Sequence, residues 1–266
     1  IISSSDILIM GYFLSATNVG IYGVATRIPP ILSMPLSAVN VTFAPMISDL
    51  YYKKKYDKLE QQFKITTRQI ITVSLPLFFI IIYFSKEILK IFGPGFVEGS
   101  SVLMFLIIGQ MMNSATGSTG FMLMMTGRPV INLINSGILC IFSVLMNLIL
   151  IPKYGIIGAA WANAISISSV QILRLVEVWY ILKIHPYSKA TLKPIFSAIL
   201  AISILLLISS LGINKGNPLI MIILLGIYII SYIFFLWIFK FPPDYFILEN
   251  IKKRFKINVL LRENHR

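Results

Sequence analysis

The stretch from Asp6 to Asp49, DILIMGYFLSATNVGIYGVATRIPPILSMPLSAVNVTFAPMISD, decides how the rest of the chain is read. It holds 20 uncharged residues between Asp6 and Arg27, and 21 more between Arg27 and Asp49. A helix needs about 20 apolar residues to cross a hydrocarbon core about 30 Å thick, so each interval has the length of a membrane span. Ser15-Ala16-Thr17-Asn18, followed by Gly20, is a turn signal between two such helices. Asp6 precedes that turn by about ten residues and Arg27 follows it by about ten, so a helical hairpin puts both charges at similar depth. An intramembrane charge costs about 2.5–3.5 kcal/mol on insertion scales, and such groups pair or line a wet cavity. The expectation is an acid and a base facing each other, either as a permanent staple between two helices or as part of a hydrated path.

Composition agrees with the membrane reading. The chain is 57% hydrophobic with mean hydropathy +0.85, and 12% charged, against about 25% for a soluble domain. The net charge of +13 sits mostly between apolar runs and in the C-terminal tail, where a membrane protein keeps its cytoplasmic lysines. No nucleic-acid-binding motif accompanies it. Cys140 is the single cysteine, so no intrachain disulfide forms. The chain lacks the basic start of a signal peptide. Only five residues precede Asp6, and a first helix ending near Leu14 would be about 21 Å long. The reading is therefore a chain that starts inside a transmembrane helix, with a longer protein upstream.

Further along, Pro29, Pro30, Pro35 and Pro45 predict a bent, cavity-lining second helix, unless Pro29-Pro30 simply begins a helical segment. Leu50 to Lys64, LYYKKKYDKLEQQFK, reads as an amphipathic helix lying at the cytoplasmic interface. A third span, with Pro76 as its kink, ends before a short surface segment from Ser85 to Phe96. The fourth has a middle rich in small and polar residues, Gln110 to Gly120, where Asn113 either packs against a neighbour or lines a water-filled path. Gly127-Arg128-Pro129 turns the chain into a fifth span holding Asn132, Asn135 and Asn147. Pro152 to Gly155 turns it into a sixth, where Arg174 and Glu177 lie three apart on one face. They read first as a local ion pair and second as a cytoplasmic gate. His185 has no metal-ligand companions at suitable spacing. Two nearly all-apolar spans and a basic tail complete an all-α, polytopic membrane bundle of about eight helices. Placing Leu50 to Lys64 inside leaves four basic residues outside (Lys86, Lys90, Lys153 and Lys215) against 17 inside. That asymmetry gives a cytoplasmic C-terminus.

In order and at the expected separations, DILIMGYFLSATNVGIYGVATRI, FAPMISDLY, EILKIFGPGFVEGSSVLMFL, TGRPVINLIN and NLILIPKYGIIGAAWANAIS resemble the C-terminal half of the polysaccharide-transporter branch of the MOP flippase superfamily. That branch includes the lipid-linked oligosaccharide and lipid II flippases. The resemblance implies helices seven to fourteen of a two-lobed transporter. Residues 1–182 would form the second six-helix lobe, 183–240 two additional helices, and 241–266 a basic cytoplasmic tail. It implies alternating access and flipping of a polyprenyl-(pyro)phosphate-linked oligosaccharide across the cytoplasmic membrane for surface glycan biosynthesis. No enzyme chemistry, cofactor or metal is implied. Partners would be the lipid-linked glycan, membrane lipids and the upstream lobe. Asp6 and Arg27 match positions where these families place charge, Arg27 to grip the diphosphate and Asp6 to hold Arg27 and carry a coupling proton or sodium ion. Asn40 and Asn113 are the candidate sugar contacts. Gly20, Tyr22, Pro45, Pro152, Gly155 and Gly158 match as structural positions. Two alternatives are a cation-coupled multidrug antiporter of the same superfamily, which needs more intramembrane acids, and an integral-membrane glycan ligase or polymerase, which needs larger outer loops.

Overall fold

Ten helices built from these runs make up the described part of the chain, residues 2–210 and 217–239 of a computed structural model, with side chains from Asp6 onward. Lys215 and the basic tail 241–266 lie outside the described residues. The helices are α1 (Ile2–Phe13), α2 (Ala16–Ala25), α3 (Pro30–Tyr52), α4 (Tyr56–Tyr83), α5 (Ser85–Lys90), α6 (Ser100–Ala115), α7 (Thr119–Met125), α8 (Pro129–Leu182), α9 (Leu192–Ser210) and α10 (Pro218–Ile238). Six segments are long and apolar enough to cross a membrane: Ala16–Tyr52, Tyr56–Tyr83, Pro94–Ala115, Pro129–Leu182, Lys189–Ser210 and Pro218–Ile238. Pro129–Leu182 crosses twice, because Gly155 (φ 59°, ψ −138°) folds it into two antiparallel arms. The shorter α1 packs against α8 and α2. The protein is thus an all-α, multi-pass membrane bundle, and among the described residues there is no strand.

Proline removes backbone donors, and neighbouring helices supply hydroxyls in their place. Pro76 has no N–H to give the Thr72 carbonyl, and Tyr232 of α10 donates its hydroxyl to that oxygen instead, at 2.8 Å. Near Pro35, the Leu32 carbonyl accepts hydroxyls from Ser74 of α4 at 3.1 Å and Ser114 of α6 at 3.0 Å. Pro29-Pro30 separates α2 from α3. The two arms of α8 meet closely at their turn: a Cβ on Gly158 would lie 2.1 Å from the Leu150 carbonyl oxygen, so only glycine fits.

The basic stretch Leu50 to Lys64 is not one interfacial helix. α3 runs on to Tyr52 and α4 begins at Tyr56, with Lys54 at φ 56° in the turn between them. Two membrane-crossing helices simply extend into this basic end of the bundle. Lys53 pairs with Asp49 and Lys64 with Glu60 at 2.6 Å, each one turn back.

One apolar cluster joins Met10, Tyr22, Leu32, Leu103, Ile107 and Ala159 in the middle of the bundle. A second joins Ile71 and Leu75 of α4 to α9 and α10 through Ala198, Leu205, Leu224 and Tyr228. A third, at the basic end, holds Phe43, Phe63, Met122 and Val178. Leu133, Ile141, Leu207, Ile222, Ile230 and Trp237 are exposed, as lipid-facing side chains must be.

Candidate functional site

Asp6 is 2% exposed. Its carboxylate accepts from the Asn147 Nδ2 at 2.7 Å, the Tyr22 hydroxyl at 3.1 Å and the Asn163 Nδ2 at 3.4 Å. Asn147 and Asn163 stand eight residues before and eight after Gly155, so the hairpin holds both amides at one depth. Tyr22, matched above as a structural position, is one of the groups that satisfies the buried acid.

Arg27 does not face Asp6. It is exposed, and among the described residues it has neither an ion pair nor a hydrogen bond to a partner side chain. Arg27 lies past the end of α2 at Ala25, so the helix that presents Tyr22 to Asp6 does not carry it. The break at Pro29-Pro30 completes the separation. The spacing put both charges at one depth; the residue that meets Asp6 is Tyr22, five residues before Arg27.

A second polar site forms where α6 breaks. Gly117 takes φ 66° between α6 and α7, and a Cβ there would lie 2.3 Å from the Thr67 Oγ1. The polar middle of the fourth span is therefore a helix interruption, and the buried turn faces a cavity of about 280 Å³. Its walls include Asn40 of α3, Asn113, Ser118 and Gly120 of the broken segment, and Asn132, Gln171 and Arg174 from the two arms of α8. Gln171 donates to the Asn113 Oδ1, and Ser118 donates to the Asn40 Oδ1. The Thr116 hydroxyl reaches the Gln171 Oε1 at 3.4 Å. Asn40 and Asn113, picked from separate spans, thus share one chamber with Arg174, while Asp6 and Arg27 do not line it.

Arg174 and Glu177 are not ion-paired. Each reaches across the α8 hairpin instead: the Arg174 Nη2 donates to the Ser136 Oγ at 3.4 Å, and Glu177 accepts from the Asn135 Nδ2. Ser136 and Arg174 each lie 19 residues from Gly155, and this matched register lets the arms pair across the hairpin in place of along one helix. Gln171, Ser118 and Asn163 are site residues that composition alone did not single out; the equal spacing of Asn147 and Asn163 about Gly155 was the available signal. Among the described residues no three His, Cys, Asp or Glu side chains gather as metal ligands would.

The MatE family profile matches residues 1–150. A probable low-salt glycan biosynthesis flippase, Agl15, of Haloferax volcanii is 32% identical over 60% of this chain and 34% of its own length. The probable flippase AglR of the same organism is 28% identical over 63% of this chain and 36% of its own. The chain therefore spans about a third of the length of these curated relatives. The lipid II flippase MurJ in its inward closed conformation superposes with a TM-score of 0.67 at 17% identity, covering 88% of this chain and 50% of that one. At that identity the likeness is one of fold.

Proposed function

Because the chain belongs to the MatE family, we propose that it forms the second lobe of a transporter that flips a polyprenyl-(pyro)phosphate-linked oligosaccharide across the cytoplasmic membrane. In this reading residues 1–182 are the lobe and 183–240 two added helices. The basic end and the C-terminus face the cytoplasm, and an upstream lobe completes the pathway. The observation that carries the reading is the chamber lined by Asn40, Asn113, Ser118 and Gln171. A hydrogen-bonding cavity within a membrane bundle is expensive unless something polar occupies it. Carboxamides and hydroxyls supply the mixed donors and acceptors that sugar hydroxyls need. Its volume, near the lower end of about 300–1,000 Å³ for small-molecule pockets, admits one part of a cargo at a time. The glycan flippase relatives favour the same cargo class.

Asp6, held off the chamber wall, is the proposed seat of a coupling proton or sodium ion, and Arg27 a proposed contact on the path of the cargo. A cation antiporter is the weaker reading, because among the described residues the one charged side chain lining the chamber is Arg174, and a cation would meet it unfavourably. The test is reconstitution of the full-length protein in vesicles with a short-chain polyprenyl-diphosphate oligosaccharide. Lectin accessibility at the outer leaflet should rise with time. If the lipid stays on its original leaflet while an organic cation exchanges, the reading is wrong.

A further inference from the structure

We propose that Arg174, together with Gly120 and Asn132, forms an oxyanion cradle that reads the negative charge on the cargo. The cargo itself rests on the flippase reading; the cradle rests on geometry. Arg174 carries five N–H donors, yet its one hydrogen bond to another side chain among the described residues is the long contact to Ser136. Its Nε is buried with no acceptor, and across from it the Asn132 Oδ1 is buried with no donor. Gly120 stands between the two. A Cβ at this position would lie 3.5 Å from the Asn132 Oδ1 and 3.7 Å from the Arg174 Nη1, so the missing side chain leaves the guanidinium open to the chamber.

Among the described residues no carboxylate lines this cavity. Glu177, the acid nearest in sequence, accepts from Asn135. A guanidinium eight residues from the helix end at Leu182 sits about 12 Å in from it; Glu177 acts on it through space but takes no hydrogen bond from it, so its Nε stays open to a ligand. An oxyanion entering the chamber would take paired, near-planar hydrogen bonds from Arg174. Asn132, by turning its carboxamide about χ2, would bring Nδ2 to the same ligand; the two ends of an amide are similar in shape and the bonding partner chooses between them. The ligand is thus an oxyanion, either the carrier's diphosphate or the carboxylate of an acidic sugar. Arg27, on a different face, does not enter this cradle.

The test uses the full-length protein in detergent, with radiolabelled inorganic pyrophosphate and glucuronate as separate probes, and the vesicle assay in parallel. Arg174→Gln should weaken binding by about tenfold or more, since each lost charge-assisted bond accounts for about that factor. Arg174→Lys, which keeps charge without the fork, should fall between. Gly120→Leu should weaken binding with the arginine intact, and thermal midpoints of the variants confirm that they remain folded. Arginine-dependent pyrophosphate binding supports the cradle and assigns it to the carrier; arginine-dependent glucuronate binding supports it and assigns it to the glycan. Equal binding in wild type and both the Gln and Leu variants overturns the cradle, as does no binding of either probe to wild type. Flipping at the wild-type rate in Arg174→Gln overturns the cradle and leaves the flippase reading standing. Arginine-dependent binding in a protein that flips no glycolipid does the reverse.

Discussion

A buried carboxylate is satisfied by its donors one at a time, and the donors of Asp6 differ enough to be ranked. Asn147 approaches to 2.7 Å and Asn163 to 3.4 Å. Hydrogen bonds to charged groups contribute about 1.5–3 kcal/mol, so Asn147→Ala should destabilise the protein by about 2 kcal/mol. Asn163→Ala should cost less than about 1 kcal/mol, because its contact lies beyond good hydrogen-bond length. Thermal unfolding in detergent checks the order. Arg27→Ala makes the opposite kind of prediction. An exposed arginine with no partner among the described residues should change stability by no more than about 0.5 kcal/mol, while glycan export is lost at normal protein level. Normal export in that variant removes Arg27 from the path. That Asp6 needed an answer was legible in the sequence, because no apolar run leaves an acid unattended. That the answer was Asn147 and Asn163 was not, since those residues lie 141 and 157 positions away and only the Gly155 hairpin brings them in.

At the scale of the helix, Pro29-Pro30 and Gly155 marked where helices break, but not what meets the backbone groups that proline leaves open. Pro76 was readable as a gap in the backbone hydrogen bonds; Tyr232, 160 residues from Thr72, was not readable as the group that fills it. The pairing gives a double-mutant cycle. Tyr232→Phe should destabilise wild type by about 1 kcal/mol, the typical net contribution of one such bond. In a Pro76→Ala background the backbone N–H restored at that position competes for the same carbonyl, and Tyr232→Phe should then cost clearly less. Equal losses in both backgrounds would mean that packing of the ring, and not the hydroxyl, joins α10 to α4. The break between α6 and α7 was hidden for a different reason. Small and polar residues from Gln110 to Gly120 suit close helix packing as well as interruption, and only the φ of 66° at Gly117 against Thr67 decides between them.

Across the whole molecule the charges are layered by depth. Along the second arm of α8, Asn163 and the Asp6 it touches lie about 16 Å from Arg174, from 11 intervening steps. The acid thus sits toward the Gly155 turn and the base toward the end carrying Lys53 to Lys55. This layering has a direction only if the sidedness is known, and the asymmetry of four against 17 basic residues is the physical argument for it. If the basic end faces the cytoplasm, an anion entering the chamber from that side meets Arg174 before it reaches the depth of Asp6, which does not line the chamber. With Lys54→Cys and Lys153→Cys introduced separately into a variant whose Cys140 is replaced by Ala, a membrane-impermeant maleimide should label position 153 on intact cells. Position 54 should label only after the membrane is opened. Labels appearing in the reverse order would overturn this sidedness.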